Sequence, residues 1–152
     1  MIVRGWADTT LVDQEELAGH AELNSDPVMG DFGQRERRCK DAQEIEHLAH
    51  AQRVTEQAIR MACELIARAP ARADGVLLDN TGNAQTPVPL TSERVKSLLD
   101  IYLMERGFTS DGHIVAGGPI GADCHHSGAG ELRTGEPIIV DVFPCDMRTL
   151  YH

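Results

Sequence analysis

The sequence predicts an α+β fold, and three observations carry that prediction. Apolar residues recur at helical steps over a long stretch ending before Pro70, and again over a shorter one between Leu90 and Leu103. Three short runs, "DGVLLD", "HIVAGG" and "PIIVDVF", have the composition of strands. These elements come in mixed order, without the strict alternation that builds a parallel sheet.

Taken in order, residues 1–34 carry the weakest pattern. Leu11, Leu17 and Leu23 have loose helical spacing, and "NSDPVMGDFG" has the composition of a turn or linker. "RERRCK" then reads as a solvated basic connection. The pattern sharpens at "DAQE". There Asp41 is placed to cap a helix and Glu44 to reach back, a carboxylate form of the capping box at the positive end of the helix dipole. Ile45, Leu48, Ala51, Val54, Ala58, Ile59, Ala62, Leu65 and Ile66 continue one apolar face as far as Ala69. "NTGNAQTPVP" is a loop by composition. In "LTSERV" Thr91 can cap a second helix while Leu90 and Val95 staple its entry. Val95, Leu98, Leu99 and Leu103 line that helix, and Gly107 supplies its left-handed stop. "PIIVDVF" is apolar at nearly every position, which predicts a strand central in its sheet rather than at an edge.

A chain of 152 residues has the length of one domain. Its formal net charge of −10 argues against nucleic acid and against anionic membrane surfaces, which would repel it. No segment approaches transmembrane length, and the opening "MIVRGWADTTLVDQEELAGH" has no apolar signal core. Cys39, Cys63, Cys124 and Cys145 lack the short spacings of zinc knuckles or redox motifs, so reduced thiols in the cytoplasm are expected. Cys63, inside a helical pattern, is expected to be a small core residue.

Asp141 is the residue that most invites a chemical reading. An ionised carboxylate in an apolar strand is costly unless a cation, an arginine or backbone N–H groups meet it. His125 and His126 are adjacent, so in an extended segment they face opposite ways and do not share one metal. One of the two imidazoles could instead donate to a substrate or a developing oxyanion. Gly121, Gly128 and Gly130 around them mark a loop able to approach a ligand closely, but "GAGELRTG" lacks the Lys-Ser/Thr of a phosphate loop. His47 and His50 stand three apart on the first helix without an acidic third partner, and His20 and His113 have no company in sequence. No Gly-x-Ser-x-Gly elbow occurs, and Cys124 beside His125 has the wrong geometry for a nucleophile and its base.

The order of these features carries a resemblance. "KDAQEIEHLAHAQRVTEQAI", "LTSERV", "HIVAGGPIGADCHHSG" and "LRTGEPIIVDVFP" follow one another as in the pita-bread metallopeptidases, and most resemble the Xaa-Pro aminopeptidase (aminopeptidase P) and creatinase branch. The resemblance covers roughly residues 35–152 and is most specific from His125 to Asp141. It implies that the chain is the first half of a pita-bread catalytic domain, with residues 1–34 a separate N-terminal segment.

In that family a strand aspartate, which Asp141 resembles, ligates one of two divalent ions, and a histidine ahead of the hairpin, matched by His125, contacts substrate. Manganese is the first expectation for carboxylate ligands, with cobalt, zinc or iron next. A peptide substrate is implied, and a homodimer is compatible with the full-length form. The family's second aspartate should follow "LYH", and its later histidine and two glutamates have no counterpart here. The chain is therefore expected to be an incomplete fragment, inactive by itself. Creatinase-like amidine hydrolysis and a non-catalytic peptide- or protein-binding domain are the competing readings, and an unrelated α+β domain is the fourth.

Overall fold

A computed structural model describes residues 38–82 and 87–152, together with the strand residues Ile2–Val3 and Glu22–Leu23. The chain divides into two compact units, Met1–Ile45 and Glu46–His152. In the first, β1 (Ile2–Val3) pairs in parallel with β2 (Glu22–Leu23), so Leu23 belongs to a strand where helical spacing was expected. Leu11, Leu17, His20, the 24–33 linker and the expected boundary at residues 34 and 35 lie outside the described residues.

The helix α1 spans Ala42–Ala67. Its start is the expected capping box: Glu44 N donates to Asp41 Oδ1 and Asp41 N to Glu44 Oε2, each at 2.8 Å. Its fully covered residues are Ala51, Val54, Ala58 and Ala62, small side chains that let neighbouring elements approach closely. Leu65 and Ile66 are half-buried beside them, whereas Ile45 is exposed.

β3 (Leu78–Asp79) pairs antiparallel with β4 (Val88–Pro89), so the loop expected over 80–89 ends in a short strand. Residues 83–86 lie outside the described set. Arg94 N donates to Thr91 Oγ1 at 3.2 Å, which begins α2 (Ser92–Met104) as the sequence suggests. Leu90 and Val95, the two halves of the staple, are fully buried. Gly107 turns the chain with φ +79°.

β5 (Phe108–Gly117) starts five residues before the expected "HIVAGG". Ahead of it Phe108 is buried, and a bulge between Ser110 and His113, with Gly112 at φ +147°, absorbs the polar residues of "FTSDG". After a 3₁₀ turn (Gly118–Ala122) and a long loop comes β6 (Ile138–Asp146), antiparallel to β5. Val76, Leu77, Leu90, Leu99, Leu103, Phe108, Val115 and Leu132 form the centre of the core, with α2 packed on β5.

Two expectations about burial are corrected. β6 pairs with β5 alone among the described strands, and its side chains alternate instead of being buried on both faces. Ile138, Val140 and Val142 turn toward the core, while Ile139, Asp141 and Phe143 are exposed. A run of apolar letters does not by itself distinguish a central strand from one that leaves an apolar face uncovered. Cys63 is likewise exposed on α1 rather than part of the core, and no cysteine among the described residues is bonded to another.

Candidate functional site

The outward face of the β5–β6 hairpin holds Asp141, directly across from Ile114. Its carboxylate makes no hydrogen bond or ion pair among the described residues, and Ile139 and Phe143 stand on either side of it, 44% and 49% exposed. The cost of burying a charge therefore does not apply at Asp141, because water reaches it.

Asp146, five positions on, is the acid of β6 that is enclosed, with only 5% of its surface exposed. Its Oδ1 accepts N–H groups from Arg148 at 2.8 Å and Thr149 at 3.3 Å. The Arg148 N–H foremost, opposed by burial and aided by Thr149, holds this carboxyl below its usual range. Asp146 thus closes the turn after β6, and Leu150, at φ +61°, returns its N–H to the Asp146 carbonyl. The signal for this was present in "DMRT", an aspartate followed by backbone donors two and three residues on.

The histidine pair sits on a tightly braced turn. His125 N donates to Asp123 Oδ1 at 2.9 Å, and His126 N to the Asp123 carbonyl at 3.1 Å. Gly128 N then donates to His126 Nδ1 at 2.9 Å. Val115 N reaches the Ser127 carbonyl at 3.0 Å, which lays this segment along the edge of β5 away from β6. Lys96 Nζ from α2 donates to the Gly128 carbonyl at 2.7 Å, and Glu93 accepts from Gly130 N at 3.0 Å. Glu93 is held below its usual pKa by backbone N–H donors, its own first and that of Gly130 next. The His125 ring is exposed and has no hydrogen-bond partner among the described residues.

Ser127 lies beside Val115, and Val115 beside Val140, so the histidine segment and Asp141 flank β5 from opposite sides. Two strand spacings, about 10 Å, separate the Ser127 and Val140 backbones across β5. Among the described residues no three His, Cys, Asp or Glu side chains converge to hold a metal ion. Asp141 is open to a cation, but these residues alone do not fill a two-ion site.

His113, without company in sequence, does have a partner in space. Its ring is buried in the bulge of β5, with Nε2 3.1 Å from Asp100 Oδ1 on α2 and Nδ1 3.4 Å from Ser110 Oγ. Burial lowers its pKa below the usual 6.5 against the opposing attraction of Asp100, and Lys96 lowers it further. His47 and His50 pack beside Tyr151 and Phe108, with ring centroids 5.5 and 5.6 Å apart. Cys124 is exposed on the same turn as His125.

A second polar group joins β3 to α2. Arg94 Nε donates to Asp79 Oδ2 at 2.8 Å and its Nη2 to Thr81 Oγ1 at 2.8 Å. Burial works to raise the Asp79 pKa, but hydrogen bonds from Thr81 and Arg94 outweigh it and keep the group lowered. No helix among the described residues is long and apolar enough to cross a membrane. Comparison with protein-family models, with curated proteins and with solved structures gives no match.

Proposed function

We propose that this chain is the first half of a pita-bread catalytic domain, and that it contributes Asp141 and His125 to a dinuclear aminopeptidase site that hydrolyses N-terminal Xaa-Pro bonds. The observation that carries the reading is Asp141 itself: a carboxylate without a partner among the described residues, on the open face of a hairpin whose other face is core. A carboxylate so placed costs the fold nothing and is available to a cation on that face. The order of the two helices, the histidine turn and then the strand that carries Asp141 supports the same reading.

Manganese is the first expectation, with cobalt, zinc or iron as substitutes. When bound, such a pair supplies a hydroxide at neutral pH and a polarised scissile carbonyl. Asp141 offers its oxygens as one ligand. His125, exposed on a turn braced by Asp123, donates to the substrate carbonyl and steadies the tetrahedral intermediate. The remaining ligands come from polypeptide outside these residues, and the isolated chain is inactive. The substrate is a peptide, the compartment is the cytoplasm, and a homodimer of the full-length form fits this reading.

The exposed Ile139 and Phe143 beside Asp141 favour a second reading, a non-catalytic domain whose hairpin face binds apolar peptide side chains. The deciding experiment is an assay of the full-length protein on an Xaa-Pro dipeptide, with and without chelator, beside D141N. Release of the N-terminal residue that chelator and D141N both abolish is expected. Peptide binding without hydrolysis would favour the second reading, and hydrolysis indifferent to both would overturn the first.

A further inference from the structure

Gly128 is fixed from several directions. A Cβ there would run into the Val115 carbonyl, and φ is +81°. Its carbonyl accepts from Lys96 Nζ at 2.7 Å, and its N–H is taken by the ring of His126, through Nδ1, at 2.9 Å. A ring nitrogen that accepts an N–H must present its lone pair, so a neutral His126 carries its own hydrogen on Nε2. The two ring nitrogens point apart, so Nε2–H is directed away from the Gly128 amide. The peptide preceding this ring is the one joining His125 to it, and Asp123 holds both neighbouring N–H groups.

We infer that His126 is the positioning residue of the histidine turn: its ring, held as the Nε2–H tautomer by Gly128, fixes the turn that presents His125. The significance of His125 rests on the peptidase reading, whereas the tautomer and the brace do not. Sequence spacing separates the two imidazoles, and the structure gives them different tasks, one left open to solvent and the other turned back onto its own loop.

The 152-residue chain is sufficient for the test, with no metal or substrate added. Nitrogen-15 NMR of the His126 ring should show the neutral form as the Nε2–H tautomer. Asparagine places an amide oxygen close to the position of Nδ1, whereas glutamine places it one bond further out. H126N should therefore keep the Gly128 amide protected from hydrogen exchange. H126Q and H126A should raise its exchange rate about fivefold or more, the scale of one lost neutral hydrogen bond, and should shift the ring signals of His125. The Gly130 amide, held by Glu93, should stay as in the parent. An Nδ1–H tautomer, or H126N exchanging as fast as H126A, would overturn the assignment. So would joint loss of Gly128 and Gly130 protection, which marks general loop collapse. An inactive full-length enzyme would sink the peptidase reading and leave these results standing.

Discussion

Asp141 faces Ile114 across the β5–β6 hairpin, on the side opposite the inward row formed by His113, Val115, Val140 and Val142. That relationship gives β6 two aspartates with different duties. Asp141 is unpaired among the described residues and open, whereas Asp146 is enclosed and tied to backbone donors.

Replacement separates those duties. D141N removes no contact of the described fold, so its stability should match the parent within about 0.5 kcal/mol. D146A strands the Arg148 and Thr149 N–H groups and should cost about 1–3 kcal/mol. Urea denaturation of both variants checks the pair, and equal losses would contradict the assignment.

Two glycines with positive φ should respond unequally to alanine. Nothing lies within 4 Å of a Cβ built at Gly107, so G107A carries only the left-handed backbone penalty, about 1–2 kcal/mol. At Gly128 the Val115 carbonyl stands in the way as well, and G128A should lose at least about 1 kcal/mol more, the smaller end of overpacking costs. Thermal melts of the two variants give the order directly.

His113 should make stability depend on pH in mildly acidic solution. Its folded pKa lies below 6.5, so on acidification the unfolded chain takes up the proton first. The stabilisation is fully present above about 6.5 and is lost as pH falls toward the lower folded value. Asp100, Ser110 and Lys96 surround the ring, and H113L removes the titrating group. In denaturation between about pH 7.5 and 5 the slope in the parent should exceed that in H113L by at most one proton, the contribution of this one ring.

The uncovered hairpin face should make the isolated chain associate. Ile139 and Phe143 are exposed on one strand, Ile120 is exposed on the 3₁₀ turn that contacts β6, and β6 has only β5 as a partner among the described strands. Sedimentation velocity should show concentration-dependent oligomers. F143S should shift the population toward monomer, and a clean monomer for the parent would count against an apolar contact face.

The helices were legible because their signals are local. Asp41 with Glu44, Thr91 as the cap of the second helix, and Gly107 after Leu103 each define an end within a few residues, and the structure uses all three as read. β5 was half legible. Its apolar end "HIVAGG" was recognised, but Phe108–Asp111 joins it through a bulge, whose pairing partner lies far along the chain. Burial on β6 was misjudged because "PIIVDVF" says which residues are apolar, not how many sheets or helices cover them. The same limit governs the site. His125 and Asp141 stand out as letters, yet the bond from Lys96 to Gly128 and the pairing of His113 with Asp100 join residues that only the fold brings together.

Metal stoichiometry tests the assignment of Asp141 most directly. Manganese titration of the full-length protein, followed by calorimetry, should give two ions per chain, and D141N should lose at least one of them while melting, free of metal, at the temperature of the metal-free parent. The 152-residue chain alone should bind weakly, since one carboxylate and one imidazole cannot hold a pair of ions. Tight binding of two ions by D141N would contradict Asp141 as a ligand.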